Sequence, residues 1–350
     1  MLFKSIVCAS LAVSIFAAPA HQHHQHEKKD VVVKTVVVTV GNGAVATAVT
    51  PVVVPTAAAS VPAANAPASQ AAPSVGTSTQ SSGSPAPPSS GGSFNAASKG
   101  VTYSPYSNDG GCKSSDQIAS EIKQLSGFEV IRLYGVDCNQ VEAVMAAKSS
   151  SQKVFAGIFD VANIASGIET LASAVKANGG WDHIHTVSVG NELVNSGQAN
   201  AGQIKQYVNT ARSALTSAGY SGPVVSVDTF IAVINNPELC DCSDYMAVNA
   251  HAFFDGQIAA NDAGKWVLQQ IQRVSTACGN SKSVMITESG WPSRGDSNGV
   301  AVPSVENQQA AVSSIGSTCG GDVILFTAFN DLWKADGPFN AEKYWGMFSN

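Results

Sequence analysis

Beyond residue 98 the chain alternates between two kinds of hydrophobic pattern. Short runs are apolar at consecutive positions, as in Val284-Met285-Ile286-Thr287 and Val323-Ile324-Leu325-Phe326. They lack the in–out alternation of a half-exposed strand and suit strands buried on both faces. Such runs recur at 100–103, 129–134, 153–159, 185–189, 223–228, 245–249, 283–287 and 322–327. Between them, stretches such as 114–125, 141–149, 164–178, 201–218 and 264–278 place apolar side chains at helical spacing. Eight buried strands alternating with helices predict an α/β chain whose parallel sheet closes into a (β/α)8 TIM barrel. The interval 229–244 leaves room only for a short helix. A doubly wound open sheet competes, but no Gly-rich phosphate loop follows the first strand.

The first 97 residues carry neither pattern. Residues 31–97 hold one charged side chain, Lys34, among Ala, Val, Ser, Pro, Thr and Gly. Such a segment cannot bury enough surface to offset its conformational entropy and is expected to be disordered. Residues 1–20 read as a signal peptide, with Lys4 before a short apolar stretch and Ala18-Pro19-Ala20 as the cleavage neighbourhood. Residues 21–97 read as a His-rich, candidate propeptide (with a dibasic Lys28-Lys29) running into a low-complexity stalk. Its hydroxyls suit O-linked sugars, and the chain has no Asn-x-Ser/Thr sequon. Residues 98–350 form the expected barrel domain.

A net charge of −6 and the lack of a basic stripe argue against nucleic acid as partner. No later apolar run reaches membrane-spanning length, and no hydrophobic lipid-anchor tail closes the sequence. The expectation is an exported monomer without a membrane anchor, secreted to the cell surface. Seven cysteines are present, of which Cys8 would leave with the signal. An even remainder in an oxidising compartment suggests disulfides. Cys278 precedes the seventh strand and Cys319 the eighth, so a bridge between them at the bottom of the barrel is the favoured pairing. Cys240-Asp241-Cys242 lacks further ligands at regular spacing, so neither a metal nor a cofactor is expected.

In this architecture chemistry sits at the C-terminal ends of the strands. Those ends carry Tyr103, Arg132, Tyr134, Phe159, Asp160, Asn191, Glu192, Asp228, Asn249, His251, Glu288, Phe329 and Asn330. A single glutamate after an apolar strand is usually a solvated or capping residue. Glu192 and Glu288, after the fourth and seventh strands, form a pair able to face each other across the mouth. Glycoside cleavage needs such a pair, one acid to protonate the leaving oxygen and one carboxylate at the anomeric carbon. A separation of roughly 5–5.5 Å makes the reaction retaining.

Gly190-Asn191-Glu192, Thr287-Glu288-Ser289-Gly290-Trp291-Pro292, Ile131-Arg132-Leu133-Tyr134-Gly135, Val248-Asn249-Ala250-His251 and Phe329-Asn330-Asp331-Leu332-Trp333-Lys334 together resemble glycoside hydrolase family 17, the β-1,3-glucanase family. The likeness covers about residues 98–350. The N-terminal extension resembles that of a group of yeast cell-wall mannoproteins within it. The resemblance implies Glu192 as acid/base, Glu288 as nucleophile and β-glucan of the cell wall as substrate. It also implies an amide of Asn191 for the sugar 2-hydroxyl. Tyr134 is expected to donate to Glu288 and keep it ionised. Tyr103, Phe253, Phe254 and Trp291 are the expected sugar-stacking rings, with core packing as the alternative for each. Asp331 and Lys334 match an acidic residue and a lysine that tie down the nucleophile loop, although Asp replaces a longer Glu. Hydrolysis and transglycosylation stay open, since water or a sugar hydroxyl can intercept the same intermediate. Arg294-Gly295-Asp296 supports a rival reading, a surface adhesin bound by a host or cell-surface receptor, with little or no catalysis.

Overall fold

The computed structural model describes residues 98–349. The signal peptide, His-rich segment and stalk expected from the sequence lie outside them. Eight strands are present, β1 (Gly100–Thr102), β2 (Val130–Arg132), β3 (Lys153–Ile158), β4 (Ile184–Val189), β5 (Val224–Thr229), β6 (Met246–Asn249), β7 (Val284–Ser289) and β8 (Val323–Leu325). They pair in chain order, all parallel, and β8 returns to β1 through Val101↔Leu325, closing the barrel. Helices α1 (Ser115–Gln124), α2 (Gln140–Ala147), α3 (Ile164–Ala177), α4 (Ala201–Ser217), α5 (Phe230–Asn235), α6 (Ala263–Ala277) and α7 (Val305–Cys319) fill the intervals. The helix between β5 and β6 is the short one. After β8 the described chain forms no further α-helix and returns along the mouth.

The helices form because their apolar residues fall on one stripe. In α4 that stripe is Ile204, Val208, Ala211 and Leu215. Its start is fixed by Asn200, which accepts from the Gln203 amide while the Gln203 side chain accepts from Asn200 N–H.

Strand parity decides which side chains reach the chemistry. Val130, Phe155, Val225, Val227, Ala247 and Ile324 meet inside the barrel. The alternate positions, such as Ile131, Val154, Val224, Val248 and Leu325, pack outward under the helices. By the same count Arg132, Asn249 and Thr287 lie inward at the upper end. Thr287 and Asn249 bond there at 2.8 Å, and an Arg132 Nη1 donates to the Thr287 carbonyl at 2.8 Å.

One interruption matters. Val248 pairs with Ile286 but Asn249 with Glu288, so β7 spends one extra residue at Thr287. Regular alternation would put Glu288 on the helix side with Ile286. The bulge re-aims it toward the barrel mouth.

Two disulfides occur among the described residues. Cys112–Cys138 joins the loops after β1 and β2. Cys240–Cys278 joins the segment before β6 to the end of α6. The expected Cys278–Cys319 bridge is therefore wrong. Cys278 is used by Cys240, its neighbour at the bottom face, and Cys319 is a buried free thiol turned back onto the Ile315 carbonyl of its own helix at 3.5 Å. Burial pushes that thiol up to about 11, with Asp322 adding to the effect. Cys242 is the other buried free thiol.

Candidate active site

Glu288 is buried and held by three partners from two strand ends, Arg132 and Tyr134 from β2 and His251 from β6. Arg132 Nη1 donates to Oε1 at 2.9 Å and the Tyr134 hydroxyl to the same oxygen at 2.8 Å. His251 Nε2 lies 3.3 Å from Oε2. Burial alone raises a carboxyl's pKa, but here Arg132, then His251 and Tyr134, outweigh it and hold Glu288 down at about 2. Arg132 and Tyr134 thus keep the Glu288 carboxylate ionised although it is buried. The backbone approaches closely behind it, since a Cβ on Gly290 would sit 2.0 Å from the Phe326 carbonyl oxygen.

Glu192 has the opposite surroundings. Its main partner is Asn249 Nδ2, which donates to Oε1 at 2.8 Å. Burial, then the nearby negative charge of Glu288, raises it to about 7. It stands at φ +54°, in the left-handed region that a side chain rarely adopts. The neighbouring backbone fixes that conformation. Glu192 N–H donates to the Val227 carbonyl at 2.9 Å. The buried Asp228 carboxylate takes the N–H groups of Val194 and Asn195 at 2.8 and 3.1 Å, and that of Thr229 at 2.9 Å. A single network links both glutamates, because Asn249 donates to Glu192 through Nδ2 and accepts through Oδ1, at 3.4 Å, from the Arg132 Nη1 that also holds Glu288. Asn191 joins it as an acceptor, taking Arg132 Nη2 at 2.9 Å and Asn249 Nδ2 at 3.4 Å. With Oδ1 so engaged, the donor end of the amide is what remains for a hydroxyl.

The other expected residues divide. Phe254 keeps 43% of its surface exposed beside His251 and Trp345 and is free to stack on a sugar. Tyr103, Phe253 and Trp291 are fully buried and offer no face, so the stacking role assigned to them is corrected to core packing. Tyr103 shares the outward parity of Val101 and donates to Glu121 of α1 at 2.7 Å. Trp291 donates to the Val302 carbonyl at 3.0 Å and packs edge-on against Phe253. Lys334 bridges Asp331 at 3.1 Å and Glu342 at 3.3 Å, so this pair ties the β8 loop to the C-terminal stretch, where the nucleophile loop had been expected. That stretch in turn receives Ser293 N–H on the Tyr344 carbonyl at 2.7 Å. Arg294, Gly295 and Asp296 are exposed, but Asp296 accepts from Asn340 Nδ2 at 2.6 Å and the Arg294 guanidinium sits 5.7 Å from the Tyr344 ring.

Arg132, Asn249, His251 and Asp228 had been placed at strand ends with no role. The signal for them was weak: a lone polar residue closing an apolar run. Among the described residues no cluster of His, Cys, Asp and Glu could hold a metal, and no helix is long and apolar enough to cross a membrane.

Residues 100–346 match the BtgE/BtgC glycoside hydrolase domain. The cell surface mannoprotein MP65 of Candida albicans is 74% identical over 261 residues, covering 75% of this chain and 69% of that protein. Probable family 17 glucosidase SCW10 of Saccharomyces cerevisiae is 64% identical over 255 residues, 73% of this chain and 66% of that protein. Probable beta-glucosidase btgE of Aspergillus fumigatus is 35% identical, and this chain spans 45% of its length. The family 17 β-1,3-glucanosyltransferase of Rhizomucor miehei shares the fold, with a TM-score of 0.59 at 20% identity over 72% of this chain and 93% of that one. The chain belongs to the BtgE/BtgC glycoside hydrolase domain family, and its barrel is a glycosidase of family 17.

Proposed function

We propose that the protein is a secreted cell-wall enzyme that cleaves and transfers β-1,3-glucan by retaining double displacement. Glu192 gives its proton to the glycosidic oxygen as the Glu288 carboxylate bonds to the anomeric carbon and the aglycone leaves. Glu192, now ionised, takes a proton from water or from a sugar hydroxyl. That oxygen bonds to the anomeric carbon, and Glu288 leaves as a carboxylate stabilised by Arg132 and Tyr134. The observation that carries the reading is the split between the two carboxyls, one raised to about 7 and the other held at about 2. The names of the Candida, Saccharomyces and Rhizomucor proteins support the choice of cell-wall β-1,3-glucan.

The test is a reduced laminari-oligosaccharide ladder, followed by mass beside a Glu288→Gln control. Shorter and longer products from the wild type, both absent from the control, are expected. A wild type inert on β-1,3, β-1,6 and mixed-linkage glucans would sink the proposal. The adhesin reading has less behind it, because the Asp296 carboxylate that a receptor would need is already bonded within the fold.

A further inference from the structure

Trp333 and Leu332 are 38% and 40% exposed in the loop after β8. Single exposed hydrophobic residues need no explanation. This tryptophan, however, is braced on every side that is not open. Its indole Nε1 donates to the buried Asp331 carboxylate at 3.1 Å. The Tyr106 ring meets it edge-on at 4.9 Å, and the Tyr106 hydroxyl donates to Asp137 at 2.7 Å. Asp137 is also bonded by Gln140 Nε2, and the adjacent Cys138 is joined to Cys112. Three loops, after β1, β2 and β8, are thus locked together to present one aromatic face. Leaving such a face in water costs free energy, and fixing it in place lowers the cost of later binding.

The face is connected to the nucleophile by a short run of contacts. Asp331 pairs with Lys334, whose ammonium lies 5.0 Å from the Phe326 ring. Phe326 packs on His251, and His251 touches Glu288. In the ring of strands β8 and β1 follow β7, whereas Glu192 comes from β4. The platform therefore lies nearer the strand that carries Glu288 than the strand that carries Glu192.

We infer that Trp333, braced by Tyr106, is a binding subsite for a β-linked glucopyranose in the donor half of the glucan, the half that stays on the enzyme in the covalent intermediate. The inference rests on the proposed glucan activity. β-Linked glucose suits the platform chemically. Its hydroxyls are equatorial, so its ring faces are lined with C–H groups that stack on an indole. The hydroxyls at its rim face the exposed Asp137 carboxylate, which is bonded to the Tyr106 hydroxyl beside the indole.

The experiment uses aryl β-glycosides of glucose, laminaribiose and laminaritetraose with one constant aryl leaving group, so that the shortest fills only the position at Glu288. Each added sugar then extends only the donor half. The readout is the ratio of kcat/KM for the longest to the shortest substrate, measured within each variant of the full chain. In Trp333→Ala that ratio is expected to fall roughly tenfold, the scale on which truncating an anchoring aromatic acts. Trp333→Phe should recover most of it, and Tyr106→Ala should lower it in the same direction. A purely structural lesion would depress all three substrates together. An unchanged ratio in an active Trp333→Ala enzyme overturns the subsite while leaving the glycosidase reading intact. A wild type that releases no aryl group from any of the three overturns both.

Discussion

The two glutamates differ in what each is offered by way of charge. Glu288 receives a guanidinium, a phenol and an imidazole, and Glu192 a single amide. The proposed mechanism needs Glu288 ionised and Glu192 protonated. Activity should therefore be lost as pH rises through about 7, when Glu192 loses its proton, and at the acid end only near about 2, when Glu288 gains one. A pH profile of kcat/KM on an oligosaccharide checks both limbs. Arg132→Met removes the main charge that offsets burial of Glu288. Its acid limb should move upward, with activity down by more than about a hundredfold. A profile with an unmoved acid limb would show that Arg132 does not set the ionisation. Glu192 and Glu288 were legible in the sequence because each closes an apolar run. The role of Arg132 was not, because a contact from β2 to β7 spans the barrel and leaves no local mark. The buried rings show the same limit. Aromatic identity alone does not tell a stacking face from a core residue, and only the outward parity of β1 sends Tyr103 to the helix layer.

At the level of elements, the strands and most helices followed from composition and period, since buried β-branched runs and helical stripes are local properties. The β7 bulge did not. Val284-Met285-Ile286-Thr287-Glu288 reads as uninterrupted strand, and the extra residue is visible only in the pairing with β6. Cysteine pairing failed for a related reason. The reasoning that joined ends at the bottom of the barrel was sound, but it selected the β7–β8 interval where the chain uses the β6–β7 interval. Cys240–Cys278 closes a sequence separation of 38 and lies at the face opposite the chemistry. Replacing both cysteines by serine should cost about 2–4 kcal/mol of stability. Thermal melting should show the loss, while kcat measured well below the melting temperature should keep its wild-type value. A drop in kcat at low temperature would contradict this separation of scaffold from site.

Over the whole molecule, the segment after β8 belongs to the active site as much as the strands do. Thr327 N–H donates to the Trp345 carbonyl, and Met347 and Phe348 N–H groups return to Thr327 and Ala328. The buried Trp345 ring packs on His251 at 4.9 Å and on Phe253, Phe254 and Phe326. Trp345→Ala should cost about 3–5 kcal/mol of stability. Because it loosens the histidine beside Glu288, kcat should fall by more than KM rises, which steady-state kinetics with a melting curve can test. Residues 343–348 are also the part of this fold that is synthesised after all eight strands. A chain emerging from the ribosome gains both carboxylates, Arg132 and Tyr134 well before it gains the indole that backs His251. On the proposed mechanism, competence for catalysis is thereby tied to the last stage of making the domain, and a partly made barrel holds both carboxylates without the backing that His251 has in the finished fold.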